Sequence, residues 1–261
     1  MKDLQIIIPI TGNGSRFKNA GYKQLKPLIE VDGVSMLEWV VRLFPGNENN
    51  IVLICRSQHL EEINSMRSTI YNICPNAKLI ELQDWQKFGP AFDILSAEYM
   101  IDNYKPTIIS YCDYFMHWDF LKFKSDLISQ NCDGAIPTYT NFHPHLLPPK
   151  NLYASCKIDK NQHLIEIKEK FSWHEDKTKD FHSPGMYYFK TGSLMKKYIQ
   201  KMIEAQDHIN HEYYMSLPFN YMVQDGLTVW CPANVKKFCQ WGTPEDLEDY
   251  QRWKDIIMRL T

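Results

Sequence analysis

Apolar residues enter this chain in two rhythms. Short β-branched blocks bounded by turn residues alternate with stripes at helical spacing. Residues 4–9 are apolar and run into turn residues, the pattern of a buried strand. Residues 34–44 place Met36, Leu37, Val40, Val41 and Phe44 on one helical face. The same alternation predicts strands over 50–56, 77–82 and 107–112. It predicts helices over 59–73, 90–101 and 120–130, with Pro90 well placed in a first turn. Strand and helix in regular succession imply a parallel sheet with helices on both faces.

After residue 133 the rhythm changes. Residues 134–139 predict another strand, and 152–158 with 163–169 a hairpin turning at 159–161. A strand over 186–190 follows, then helices over 194–205 and 211–223, the second interrupted by Pro218. Short strands are expected over 227–232 and 236–240. A last helix over 244–259 is capped by Thr243, with Glu245 and Asp246 in its first turn, where the helix dipole favours acids. No linker-like stretch divides the chain. The expectation is one α/β domain over 1–261, with a nucleotide-binding half (1–133) and an acceptor-binding half (134–261).

Composition narrows the function. At 44% hydrophobic and 23% charged, the chain has the make-up of an ordinary globular protein. A net charge of -2 argues against a general nucleic-acid binder, so any phosphate site has to be local. Seven cysteines are scattered singly with no CxxC spacing, which argues against a disulfide framework and a zinc site and for reduced thiols. No apolar run approaches the ~20 residues of a membrane span, and the N-terminus lacks a leader-peptide pattern. The expected compartment is the cytoplasm, with no membrane partner.

Candidate chemistry begins at "IIIPITGNGSRFKNAGYKQLKPLIEV", residues 6–31. Gly12 and Gly14 let successive amides turn inward and form an anion nest. Arg16 adds a bidentate phosphate ligand and Lys26 a mobile point charge. Such a ligand would sit outside the carboxyl end of the first strand, a polyphosphate site. Two familiar phosphate loops fail: Phe17 stands where a dinucleotide fingerprint needs its third glycine, and no Gly-Lys-Ser/Thr ends the loop. On composition alone a glycine-rich turn with incidental cations fits equally well.

Five stretches in order carry a resemblance: "GNGSRF" with "KPLIEVDG", then "FGPAFDIL", "SYCDYF", "IEIKEKF…SPGMYYFKTG" and "QWGTPEDLEDY". Together they resemble the nucleotidyltransferases that make activated sugars, such as glucose-1-phosphate thymidylyl- and uridylyltransferases and capsule-associated cytidylyltransferases. The resemblance implies a three-layer Rossmann-like nucleotidyltransferase (nucleotide-diphospho-sugar transferase) fold, with a mostly parallel central sheet and a mixed C-terminal half. It implies that an NTP, a pyrimidine and by preference CTP, reacts with a sugar 1-phosphate or other phosphorylated small molecule. The products are a nucleotide-diphosphate compound and pyrophosphate, with Mg2+ as cofactor and surface polysaccharide synthesis as setting.

The resemblance also assigns roles. Gly12, Asn13, Gly14 and Ser15 cradle the triphosphate, and Arg16 holds its leaving phosphates. Lys26 neutralises the α-phosphate, and Asp113 holds the magnesium. Gln83, Gly89 and Pro90 line the base. Glu169, Lys170, Gly185 and Glu212 belong to the acceptor pocket. The family's second metal carboxylate falls on Gln240 here, leaving one carboxylate with waters, or Glu212 or Asp225, to complete the set. The string "NFHPH" puts His143 and His145 in an acceptor-pocket loop, a structural loop or a metal pair. Aromatics near Trp253 are offered as a homodimer surface. A nucleotide-sugar-dependent glycosyltransferase of related fold is the alternative, although "CDYF" lacks its second aspartate. A non-catalytic nucleotide-binding relative is a further alternative, favoured by Gln240.

Overall fold

The computed structural model describes residues 4–63, 65–83 and 85–260. Residues 1–3, on which part of the leader-peptide reading rests, lie outside the described residues, as does Asn64 in the expected helix over 59–73. In chain order the first half holds β1 (Gln5–Pro9), α1 (Ser15–Asn19), β2 (Glu30–Val31), β3 (Val34–Ser35), α2 (Met36–Val41), β4 (Ile51–Arg56) and α3 (Ser57–Glu62). It continues through α4 (Met66–Ile73), β5 (Lys78–Leu82), α5 (Pro90–Ser96), β6 (Thr107–Ser110), β7 (Tyr114–His117) and α6 (Phe120–Gln130). The second half holds β8 (Gly134–Ala135), β9 (Ser155–Ile158), β10 (Leu164–Lys168), β11 (Phe181–His182) and β12 (Met186–Phe189). It closes with α7 (Gly192–Glu204), α8 (Pro218–Gln224), β13 (Val229–Trp230), β14 (Lys237–Gln240) and α9 (Pro244–Leu260).

A seven-stranded sheet of order β13-β8-β12-β6-β1-β4-β5 forms the centre. β6, β1, β4 and β5 run parallel, and β12 is antiparallel to both of its neighbours. Side chains of successive strand residues point to opposite faces. Ile6 and Ile8 accordingly join Leu37, Val40, Ile70 and Phe123 on one face. Ile7 joins Ile94, Ile199 and Met222 on the other. The result is three layers, with α2, α4 and α6 against one side and α5, α7 and α8 against the other. Both halves of the chain contribute strands to this sheet. Two smaller pairings matter for the site: β9 is flanked antiparallel by β10 and β11, and β7 pairs antiparallel with β14.

Several expected elements differ in extent. The helix expected over 34–44 is shorter: residues 34 and 35 pair with β2, and Ser35 caps α2 by accepting from the Glu38 amide at 3.2 Å. The 59–73 stretch is two helices, because Ile63 is extended (φ -122°, ψ 91°) and ends α3. In the 211–223 stretch, Asn210 and His211 take left-handed φ values of 52° and 63° and exclude a helix there. Pro218 starts α8 instead of interrupting a longer one, at a position where its missing N–H costs nothing. The strand β7 was not expected. It forms because β14 supplies its partner from the far end of the chain.

Candidate functional site

A cavity of about 440 Å³ opens at the carboxyl ends of β1 and β6. One rim is the loop after β1. Gly14 takes φ 59°, a left-handed cap before α1, and a Cβ there would stand 3.1 Å from the Lys26 Cβ. Gly12 has open space around it and keeps that wall low. Asn13, Ser15 and Arg16 complete the rim. Beneath it, Arg56 is buried, donates to Asn13 Oδ1 and lies over the Trp85 ring at 4.3 Å. The Thr11 hydroxyl donates to Asp93 Oδ2. Burial pushes the Asp93 carboxyl up to about 6, against the lowering pull of the Thr11 bond.

Asp113 stands just past β6. Lys26 Nζ lies 2.6 Å from Asp113 Oδ2 and donates to the Gly242 carbonyl at 2.7 Å. The β7–β14 ladder explains why residues so distant in sequence meet. Gln240 pairs with Tyr114, and the Trp241 amide donates to the Asp113 carbonyl at 2.9 Å. That ladder also delivers Asp246 to the cavity wall. Its Oδ2 accepts from the Thr243 amide at 2.9 Å, and its own amide donates to Thr243 Oγ1 at 3.1 Å, a reciprocal helix cap. Burial raises the Asp246 carboxyl, and the nearby Asp113 charge adds to the effect.

The opposite wall is built by a strap. The Tyr213 amide donates to the Phe88 carbonyl at 2.7 Å, and the Ala91 amide to the Tyr213 carbonyl at 3.1 Å. These bonds fasten the segment before α8 to the start of α5. They bring Glu212 and Tyr214 beside Gly89 and Pro90 on the wall. Tyr214 Oη donates to Glu212 Oε2 at 2.9 Å. Glu169, just past β10, accepts from Ser216 Oγ. Burial pushes its carboxyl up to about 7, although Ser216 and Lys170 pull the other way.

Of the residues named from the sequence, the cavity gathers Gly12, Asn13, Gly14, Ser15, Arg16, Lys26, Asp113, Gly89, Pro90, Glu169, Gly185 and Glu212. Gln83 and Lys170 are exposed and do not line it. The Lys170 ammonium sits 5.4 Å from the Tyr214 ring centre instead. Asp225 is bound to Lys201 at 2.7 Å and to Tyr198 Oη at 3.0 Å, away from the wall. His143 and His145 pack around Tyr139, with His145 Nε2 2.9 Å from its hydroxyl. Burial lowers both imidazoles, and no group of three or more metal-type side chains forms among the described residues. Trp253 meets Phe142 edge-on at 6.3 Å within the same chain.

Sequence reading missed Asp246, Asp93, Tyr111, Tyr187 and Tyr214. Asp246 carried a signal, but its capping role absorbed it. Cys112 also lines the cavity; burial pushes its thiol up to about 12, which leaves no thiolate for nucleophilic chemistry. The cysteines are unpaired. No described helix is long and apolar enough to cross a membrane.

The model of the nucleotidyl transferase family matches residues 6–255. No curated protein gives a significant match. Among solved structures the chain is similar to a nucleoside-diphosphate-sugar pyrophosphorylase from Vibrio cholerae RC9, with TM-score 0.75 and 20% identity, covering 95% of this chain and 100% of that one. It is similar to a UDP-glucose pyrophosphorylase complexed with UDP-glucose (TM-score 0.70, 15% identity, 96% and 98% covered). An inositol-1-phosphate CTP transferase from T. maritima follows at TM-score 0.63 and 12% identity, with 95% of each chain covered. At these identities the structural likenesses establish the fold, and it is the α/β fold expected from the sequence.

Proposed function

Because the chain belongs to the nucleotidyl transferase family, we propose that it joins a nucleoside triphosphate to a phosphorylated small molecule and releases pyrophosphate. The observation that carries this reading is one cavity in which the amide loop 12–15, Arg16 and Lys26 face Asp113. Residues 1–133 grip the nucleotide, residues 134–261 hold the acceptor, and the two act as one unit.

The acceptor's phosphate oxygen attacks the α-phosphorus in line as the bond to pyrophosphate breaks. Such transfers depend on positioning and charge neutralisation more than on covalent help from the protein. The loop amides hold the triphosphate, and Arg16 takes its leaving end. Lys26 exchanges Asp113 for the α-phosphate, since both oxygens compete for the same ammonium. Gly89 and Pro90 present backbone edges to the base. A pyrimidine, CTP first, is the nucleotide to test, and surface polysaccharide synthesis the setting; both rest on the motif resemblance.

Magnesium fits the residues present. Asp113 and Asp246 offer two carboxylates within electrostatic reach of each other, and Gln240 adds a neutral amide oxygen on the same wall. Mg2+ takes one or two carboxylates plus substrate phosphates, so a third acid is unnecessary. When bound, the ion neutralises charge on the triphosphate.

The test is pyrophosphate release with each of four NTPs against a panel of phosphorylated acceptors. At least one pair is expected to turn over. Consumption of a nucleotide sugar without pyrophosphate would establish a glycosyltransferase. A melting shift with NTP and no turnover with any acceptor would establish a binding protein.

A further inference from the structure

The cavity's cations are unevenly placed. Its positive side chains, Arg16, Lys26 and Lys87, all come from the first half of the chain, beside the carboxylates Asp93 and Asp113, and Lys87 lies 3.7 Å from Glu212. Among the described residues, the second half contributes Glu169, Glu212 and Asp246 to the wall and no lysine, arginine or histidine. An acceptor's phosphate therefore belongs beside the first-half cations. The rest of the acceptor meets carboxylates.

Glu169 has a particular neighbourhood. Its charge is felt by the phenols of Tyr111, Tyr187 and Tyr214, all of which line the cavity and are raised chiefly by burial. Tyr111 and Tyr187 meet edge-to-face at 5.9 Å. The hydroxyls are already engaged. Tyr111 Oη accepts from the Met215 amide at 3.2 Å, Tyr214 Oη donates to Glu212, and Tyr187 bonds to Ser183. What Tyr111 and Tyr187 chiefly offer a ligand is ring surface, whereas the Tyr214 ring already carries the Lys170 ammonium at 5.4 Å. Among the described residues only Ser216 donates a hydrogen bond to Glu169, and no ion pair within 4 Å reaches it. A carboxylate that shares a cavity wall with two such rings, within electrostatic reach of both, is a receptor for a cation: the rings attract it through their quadrupoles and the carboxylate through its charge.

We propose that the acceptor carries a cationic nitrogen as well as its phosphate, and that this nitrogen sits against Glu169 beside Tyr111 and Tyr187. The inference rests on the nucleotidyl transfer proposed above. The nitrogen can sit on an amino sugar 1-phosphate or on an amino alcohol phosphate, and the test separates the two.

The sharpest comparison is N,N,N-trimethyl-2-aminoethyl phosphate against 3,3-dimethylbutyl phosphate, the same shape with carbon in place of charged nitrogen. Glucosamine 1-phosphate against glucose 1-phosphate forms the second arm. Pyrophosphate release with CTP and the other NTPs is expected to favour the cationic member of one pair by at least about tenfold in kcat/KM. The winning pair identifies the scaffold. Glu169→Gln is expected to raise KM for that acceptor about tenfold or more while KM for the NTP holds, and to erase the preference. Binding of the trimethyl and dimethylbutyl compounds to the unmodified protein, by calorimetry with a non-hydrolysable NTP present, gives a measure independent of turnover and of the variant. Neutral members working as well as cationic ones, or Glu169→Gln slowing both alike, would overturn this inference and leave the transferase reading standing. No pyrophosphate from any of the four acceptors would overturn this inference, and none from the wider panel either would overturn both.

Discussion

The carboxyl of Glu169 makes a stability prediction that follows from its burial alone. Its ordinary value is 4.5, and burial pushes it to about 7. The folded chain therefore keeps a proton that the unfolded chain has already released. Between roughly pH 4.5 and 7, stability falls as pH rises, and above 7 the full cost is present. At ~1.4 kcal/mol per pH unit, that cost reaches about 3 kcal/mol. Glu169→Gln keeps the shape and the bond from Ser216 but removes the ionisable group. It is expected to stabilise the protein by up to about 3 kcal/mol at pH 8 and by little near pH 4.5. Urea unfolding of both proteins at the two pH values, with equal slopes, measures the difference. An equal effect at both values, or a loss of stability at pH 8, would refute the burial argument. The expected outcome is a more stable protein that has lost acceptor discrimination, because the charge is retained for binding and not for folding.

Other perturbations separate the roles at the cavity. Lys26→Ala should lower kcat by a factor of order 10²–10³, read by pyrophosphate release; a change under tenfold would remove Lys26 from the chemistry. Asp246→Asn preserves a good helix cap, so the fold should hold while the magnesium needed for half-maximal rate rises about tenfold or more. An unchanged magnesium titration would make Asp246 a cap only. Gly89→Ala forces a side chain onto φ 93° with its Cβ 2.8 Å from the Tyr213 amide nitrogen. It should cost about 2–4 kcal/mol by thermal unfolding and loosen the strap carrying Glu212 and Tyr214; a wild-type melting point would contradict that strap.

What the amino-acid sequence determined by itself was whatever local chemistry encodes. Ile6, Ile7 and Ile8 announce a buried strand because a continuous run of β-branched residues favours extended backbone within a few positions. The loop from Gly12 to Lys26 announces an anion site because backbone freedom and charge sit side by side. Thr243 announces a helix start because a cap reaches only three residues. The tertiary structure decided what depends on pairing between distant segments. Gln83 and Lys170 looked like site residues in their motifs, yet neither lines the cavity: Gln83 is exposed, and Lys170 lies over the ring of Tyr214. Asp246 joins Asp113 only because β14 crosses to β7, and no local pattern specifies that ladder. Glu169 shares a wall with Tyr111, Tyr187 and Tyr214 only where four separate segments converge on the mouth of the sheet. Its raised carboxyl is likewise a property of burial, which exists only after the chain has folded.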